Sequence, residues 1–297
     1  MSEPYRILSV LVIIILTLEG CRKTPEPPDP GQQVDFTACV KAGESSSFEI
    51  MSFNLQGFPK TGSLTIHTVR DLINAADPDI IALQELINES DFDELLEEMP
   101  GWDGRFNPGN NDEWNLAFLF KESEVSIDDS KTRIIYDDDT YAFPRPPFEI
   151  FVTHRTLKQS AYLINIHLKC CSGAENEARR RDAAVKLNEF IQNSRSGDPV
   201  IILGDFNDII SGENSAENQF YIFVAARAEY RFTDMHIAKG SLLWWSYPSW
   251  PSHIDHILVT NELFQRIDTT VVLKAEPCYP DFFENISDHR PVELILK

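Results

Sequence analysis

Residues 200–208 read VIILGDFND. An apolar run of buried-strand type stops at Gly204, and Asp205, Asn207 and Asp208 follow with only Phe206 among them. Gly, Asn and Asp are common in turns, because they tolerate unusual backbone angles and bond their own backbone. A turn would account for one such ending. The pattern recurs, however. FEIMSFN (48–54) ends in Asn54, DIIALQ (79–84) runs into Glu85, YLINIHL (162–168) delivers His167, IDHILVT (254–260) opens with Asp255, and SDHRPVELIL carries Asp288 and His289 ahead of the last apolar run. Polar groups at the ends of several strands can share one site on rigid supports.

Between these runs the periodicity changes to that of helices. SLTIHTVRDLINAA (63–76) places Leu64, Val69, Leu72 and Ile73 close to helical spacing, and Pro78 ends it. ENEARRRDAAVKLNEFIQN (175–193) has Ala184, Leu187 and Ile191 on one stripe, with Arg179 to Arg181 and Asp182 expected to face water. Further strands are expected at 116–120, 148–154, 269–275 and 291–297, and a helix near 215–227. No internal repeat or second linker interrupts the pattern. It reads as one α/β domain over residues 46–297, with a core fed by 42% hydrophobic residues, 19 Phe and 5 Trp among them.

The N-terminus reads as a targeting segment. The apolar block ILSVLVIIILTL (7–18) behind Arg6 is shorter than the roughly 20 residues that span a bilayer. It fits the apolar centre of a secretory signal. LEGC places Cys21 where a bacterial lipoprotein is cut and lipidated, so residues 1–20 are expected to be removed and Cys21 to anchor the chain to a membrane of the cell envelope. Glu19 is unusual at such a cleavage site, and an ordinary signal peptide or uncleaved anchor is the alternative. Residues 22–45, which open RKTPEPPDPGQQ, read as a Pro-rich polar spacer. In an oxidising compartment Cys39, Cys170, Cys171 and Cys278 can pair in three ways. The adjacent Cys170 and Cys171 could bond each other, but one of them is expected to pair elsewhere. None of the four shows C-x-x-C metal spacing.

The charge is strongly negative, 47 acidic against 26 basic residues for a formal −21. That argues against passive, tight binding of long polyphosphates, which proceeds by counterion release to basic groups. A bound cation could still supply local positive charge at a phosphate. No Ser or Cys nucleophile stands with an attached base, and no Gly-rich phosphate loop is present. Carboxylates with few thiols suit a hard cation such as Mg²⁺, and histidines beside carboxylates suit proton transfer and charge stabilisation at a phosphate. The set fits metal-assisted attack of water on a phosphate ester.

NLQGF, LQE, NIHL, GDFND, IDHI and SDHRPV, in this order, resemble the motifs of the endonuclease/exonuclease/phosphatase superfamily, which includes deoxyribonuclease I, abasic-site endonucleases, sphingomyelinases and inositol-polyphosphate phosphatases. The resemblance runs from about residue 48 to 297. It implies an α/β four-layer αββα sandwich of the deoxyribonuclease I type, two packed mixed sheets flanked by helices, with the site at one end. It further implies Glu85 as the main metal ligand, Asn54 as an organiser of metal and phosphate, and Asp288 as a second metal or water ligand. Asp205 would orient or deprotonate the attacking water, and Asn207 would hold a phosphate oxygen. His289 would contact the phosphate, oriented by Asp255. His167 resembles the proton-transfer histidine of the deoxyribonuclease I and sphingomyelinase branches, and Arg145 in FPRPPF an arginine near the phosphate.

Gln56 stands where abasic-site endonucleases carry an acidic residue, which puts abasic-site repair in doubt. The expected activity is therefore Mg²⁺-dependent phosphodiester hydrolysis, with Mn²⁺ or Ca²⁺ as possible substitutes, by a monomer acting on nucleic acid. The alternatives are a phosphatase or phospholipase C-like hydrolase of lipids or small phosphoesters, and an inactive binding lipoprotein. WWSYPSW (244–250) is expected to cap the sandwich, the alternatives being stacking on bases or meeting a lipid surface. His154 and His256 read as surface or internally satisfied histidines, and His253 as a candidate for the rim of the site.

Overall fold

A computed structural model describes residues 33–40, 46–107 and 114–297. The apolar segment at 7–18 and Cys21 lie outside the described residues. The strands are β1 (Phe48–Phe58), β2 (Ile80–Leu86), β3 (Trp102–Asn107), β4 (Asn115–Lys121), β5 (Val125–Ile127), β6 (Arg133–Ile134), β7 (Phe148–His154), β8 (Ser160–His167), β9 (Val200–Asp205), β10 (Tyr230–Phe232), β11 (Asp255–Thr260), β12 (Ile267–Val272) and β13 (Val292–Leu296). One sheet has the order β12-β13-β1-β2-β4-β3, and the other β10-β11-β9-β8-β7-β5, with β6 paired to β7. Each is mixed: β1 and β2 run parallel in the first, β8 and β9 in the second, and the other pairs are antiparallel.

Strand alternation builds the layers. Side chains point to opposite faces at every step. Phe48 and Ile50 of β1, Ile80 and Ala82 of β2, Leu163 of β8, Ile201 and Leu203 of β9 and Ile257 of β11 fill the space between the sheets. Met51, Phe53, Ile81 and Leu83 face outward, under Ile66, Val69 and Leu72 of helix α1 (Ser63–Ala76) and Phe92 and Leu95 of α2 (Glu89–Glu97). Ile164, Ile166, Val200 and Ile202 face the other way, under Ala183, Ala184 and Leu187 of α3 (Ala174–Ser194). Helix, sheet, sheet and helix are the four layers expected.

The structure departs from the sequence reading at several points. The helix expected near 215–227 is a short turn at Tyr221–Ala225. Strand β3, WDGRFN, was not anticipated, because it is a polar edge strand. Its Gly104 leaves room for the Phe92 ring, which a Cβ would approach to 2.4 Å. Residues 34–40, polar spacer by composition, belong to the packed body. Phe36 and Val40 are fully buried against the first sheet's helix layer, Val34 N–H donates to Asp71 Oδ2 at 2.8 Å, and Cys39 is bonded to Cys278. Cys170 and Cys171 are both free thiols, so neither pairs elsewhere.

Candidate active site

The same alternation that fills the interior fixes what its open end presents. Continuing each strand's inward parity brings Asn54 and Gln84 from the first sheet, and Asn165, His167, Asp205 and Asp255 from the second, into the gap between sheets. Register aligns them further: His167 lies opposite Asp205, Asp205 opposite Asp255, and Asn54 opposite Gln84. Gly204 is required at its place, since a Cβ there would stand 2.0 Å from the Ile166 carbonyl oxygen.

Below the opening, Gln84 Nε2 donates to Asn165 Oδ1 at 2.8 Å, and Asn165 Nδ2 donates to the carbonyls of Leu83 and Ala117. These fully buried amides tie the sheets together beneath the site. Both residues stand inside quoted motifs, LQE and NIHL, yet reading sequence alone gave them no role. Their signal was polarity at an inward strand position.

Above them, Asn54 Nδ2 donates to Glu85 Oε1 and to Asp205 Oδ2, both at 3.0 Å. Its Oδ1 accepts the Gln56 N–H at 2.9 Å. Asn54 therefore aligns two carboxylates through its amide N–H groups, while its oxygen takes up a backbone N–H. His167 Nε2 sits 3.5 Å from Glu85 Oε1 and 3.6 Å from Asp205 Oδ2. Asp205 Oδ1 accepts the Asn207 N–H at 2.8 Å, and Asn207 Nδ2 donates to the Leu168 carbonyl at 3.1 Å. Arg145 Nη2 donates to that same carbonyl at 3.0 Å. His289 Nδ1 is 2.8 Å from Asp255 Oδ2, and its Nε2 is 3.9 Å from Asp205 and 3.8 Å from Asp288. Ser287 Oγ donates to the Asn54 carbonyl and accepts the His289 N–H, and Gln56 Oε1 accepts the Asp288 N–H. Every proposed metal, catalytic and phosphate-contact residue thus meets at one end of the sandwich.

The cleft there has a volume of about 870 Å³. Glu85, His167, Asp205, Asn207, Asp288, His289 and Arg145 line it, while Asn54 and Asp255 stand behind, both buried. Backbone strain concentrates in it. Among the described residues, Gln56, Glu85, Cys171 and Asn207 combine positive φ with a place on its wall. Such conformations cost free energy and persist where surrounding contacts hold them. At Glu85, φ of 60° breaks the alternation of β2 and turns the carboxylate toward the cleft.

Burial pushes the Glu85 carboxyl up, against the Asn54 hydrogen bond. Burial, with the charge of Asp255, pushes Asp205 up to about 7. Burial, with Arg145 nearby, holds His167 well below the ordinary histidine range. For His289, burial disfavours the imidazolium, but Asp255, Asp205 and Asp288 overcome it and push the group up to about 10. Carboxylates crowded in low dielectric seek cations or protons.

Those groups suit a hard divalent cation. Glu85, His167 and Asp205 offer ligand atoms within 4.8 Å of one another, and Asp288 Oδ1 is buried without a hydrogen-bond partner. The clusters around His154 and around His253 and His256 fail the same test. His154 Nδ1 accepts the Leu157 N–H, which leaves its Nε2 carrying the proton that faces Asp79. His253 Nδ1 accepts the Ser246 N–H, and its Nε2 donates to Asp234. His256 bonds Asp234 through Nδ1 and the Asp208 carbonyl through Nε2, so both nitrogens donate. Burial opposes that charge, but Asp234 raises the His256 pKa. These histidines are internally satisfied, as read for His154 and His256; His253 is buried behind the site and not on its rim.

Two further expectations are revised. Arg180 does not face water: it is buried, donating from Nε to Asp208 Oδ2 at 2.8 Å and from Nη1 to the carbonyls of Lys169 and Cys171. The aromatic stretch does not simply cap the sandwich. Tyr247 packs its ring 4.8 Å from that of His289, and Trp250, 78% exposed, lines the cleft with Tyr247.

Residues 51–289 match the model of the Endonuclease/Exonuclease/phosphatase family. No curated protein sequence matches the chain. Similar solved structures include D. rerio TDP2 complexed with single strand DNA product, at 17% identity and TM-score 0.68 over 85% of this chain and 100% of that one. The human Nocturnin catalytic domain with bound sulfate anion has 17% identity and TM-score 0.58, over 84% of this chain and 94% of that one. The Bacteroides thetaiotaomicron mannosyl-6-phosphatase has 15% identity and TM-score 0.60, over 84% of this chain and 100% of that one. At these identities the likeness concerns the fold.

Proposed function

Because the chain belongs to the endonuclease/exonuclease/phosphatase family, whose members hydrolyse phosphoesters, we propose that it is a Mg²⁺-dependent phosphodiesterase with nucleic acid first among its substrates. The observation that carries this reading is the hydrogen-bonded convergence of Glu85, Asn54, Asp205, Asp255 and His289 at one open cleft. Glu85, with Asp205 and Asp288 beside it, would hold the cation, which supplies positive charge to the phosphate and to the oxygens exchanging there.

The chain's own groups then divide the work. Asp205, with its oxygens aimed by Asn54 and the Asn207 N–H, accepts a proton from water. His289 stays protonated under Asp255 and presents Nε2–H toward the phosphate. His167, kept neutral, moves a proton between the reacting oxygen and the Glu85–Asp205 pair. Asn207 and Arg145, both anchored on the Leu168 carbonyl, would offer further N–H groups to the phosphate oxygens. The likeness to a mannosyl-6-phosphatase supports a second reading, phosphatase action on a small phosphomonoester.

Plasmid DNA, sphingomyelin, mannose 6-phosphate and bis(p-nitrophenyl) phosphate, each with Mg²⁺ and with chelator, test the proposal. Metal-dependent cleavage of DNA and the generic diester is expected. Turnover confined to the monoester favours the second reading, and no turnover on any of them overturns both and favours an inactive binding protein. Export and lipidation at Cys21, with the folded body held as a monomer at a bacterial envelope membrane, complete the proposal. Labelling with a fatty-acid probe, lost in Cys21→Ala, and light scattering of the purified chain check those parts.

A further inference from the structure

We infer that Cys170 and Cys171 form a modification site, a vicinal thiol pair that a disulfide reagent oxidises reversibly to an eight-membered ring disulfide, and that closing this ring lowers turnover in the adjoining cleft. Its second half rests on the hydrolase reading above. The two sulfurs are 2.8 Å apart, about 0.8 Å beyond a covalent S–S bond. Cys171 is exposed and Cys170 half-buried, so a reagent in solvent reaches the pair. Both line the cleft. Cys171 holds φ of 77°, one of the strained cleft positions, and the hydrolytic reading has no use for it. Lys169 Nζ stands 3.6 Å from Cys170 Sγ, where an ammonium stabilises negative charge developing during exchange.

Chain geometry separates this pair from the structural bridge. Cys39 and Cys278 have Cα atoms 6.0 Å apart, within the usual range for a disulfide. Adjacent Cα atoms are only about 3.8 Å apart, below the roughly 4.4 Å minimum, so a ring between them is strained. Strained, exposed disulfides are the easily reduced ones, suited to reversible control. The Cys39–Cys278 bridge also marks a chain that meets disulfide-forming conditions.

The exchange balances. The Cys171 sulfur, its proton given to solvent, attacks one sulfur of an external disulfide RSSR. That S–S bond breaks and RS⁻ leaves. The deprotonated Cys170 sulfur then attacks the Cys171 sulfur of the mixed disulfide and expels the second RS⁻. Two cysteine thiols lose two electrons, RSSR gains them, and two RSH carry away the two protons.

Ring closure reaches the site through the backbone. Arg180 Nη1 holds the carbonyls of Lys169 and Cys171, on either side of Cys170. Arg180 also holds Asp208, next to Asn207. One step back, the Leu168 carbonyl takes hydrogen bonds from Asn207 and Arg145, and His167 precedes it. Re-forming the 170–171 turn shifts these carbonyls and, with them, the groups that face the phosphate.

The test equilibrates the full chain in buffers of stepped oxidised-to-reduced glutathione ratio, quenches in acid, alkylates and reads peptide masses, with turnover of bis(p-nitrophenyl) phosphate measured in parallel. The peptide holding Cys170 and Cys171 is expected to pass from two alkyl groups to none, two hydrogens lighter and without glutathione, while Cys39–Cys278 stays intact. Turnover is expected to fall about tenfold or more over the same ratios, because displaced positioning groups cost orders of magnitude, and to return with dithiothreitol. Cys170→Ser and Cys171→Ser should each give a glutathione adduct and no peptide two hydrogens lighter, and the double variant Cys170→Ser/Cys171→Ser should hold its own turnover constant across the buffers. In the parent chain, two alkylatable thiols at every ratio, or a stable glutathione adduct, overturn the modification site. Thiols that convert while turnover stays level overturn its control of the cleft. A preparation without turnover in any buffer counts against the hydrolase reading alone, since the thiol masses decide the site without it.

Discussion

Replacing Asp255 with Asn removes one charge while keeping the shape of the support under His289. Asp255 Oδ2 lies 2.8 Å from His289 Nδ1, and both side chains are buried. The imidazolium is pushed up to about 10 against an ordinary value of 6.5, with Asp255 the largest of the three carboxylates that outweigh burial. The difference, about 3.5 at about 1.4 kcal/mol for each, is on the order of 5 kcal/mol, the net that remains after the three carboxylates have outweighed burial. Asn supplies no such charge, and burial then favours the neutral ring.

His289 of metal-free Asp255→Asn is thus expected to titrate at or below neutrality, where the parent titrates far above it. Imidazole ¹⁵N NMR across pH 5 to 11 reads this directly. Turnover at pH 7.5 should fall by about 10² to 10⁴, the usual worth of a positioned proton donor. The sign for stability follows. A folded pKa above the unfolded one gives stabilisation fully present below about 6.5, lost as pH rises through about 10. The parent should lose stability over that window, and Asp255→Asn should lose less. An Asn variant whose His289 still titrates above about 9 refutes the reasoning, because the raised proton affinity would then not come from Asp255.

Three further outcomes follow from buried groups away from the chemistry. Asn165→Leu strands the Gln84 amide and should cost about 1–3 kcal/mol in urea unfolding, whereas adding Gln84→Leu should recover part of that loss; a double variant weaker than the single would contradict the pairing. Glu293 is fully buried, both its oxygens lack partners, and burial with Glu49 and Asp79 nearby pushes it well above the carboxylate range. Its stabilisation is fully present below the ordinary glutamate pKa and fades as pH rises above it, so Glu293→Gln should raise the melting temperature at pH 8 and leave it nearly unchanged below about pH 4, with an equal gain at both pH values ruling this out. Cys39→Ser opens a bridge spanning 239 positions and should cost about 5 to 6 kcal/mol by the chain-entropy relation, read by calorimetry; a loss under about 1 kcal/mol would show that residues 34–40 are held by packing alone.

The sequence by itself determined the element types. Continuous apolar runs and two helical stripes are local properties, and they placed strands β1, β2, β8 and β9 and the apolar faces of α1 and α3, while the four layers were what the family resemblance implied. It also named the groups at the strand ends, because a carboxylate or imidazole closing an apolar run stands out in one dimension. What it could not decide was partnership. That Arg180 is a buried clasp, in the middle of a run of three arginines, depends on Asp208, 28 positions away. That Phe36 and Cys39 belong to the core depends on helix α1 and on Cys278, 239 positions on. That Asn54 orients carboxylates, and that Tyr247 packs on His289, are facts of three-dimensional neighbourhood. Periodicity reports which side of an element is apolar. Only closing the chain sets the distances between charges, and those distances, through burial and Coulomb interaction, decide which group holds a proton, which could hold a cation and which merely holds its neighbour.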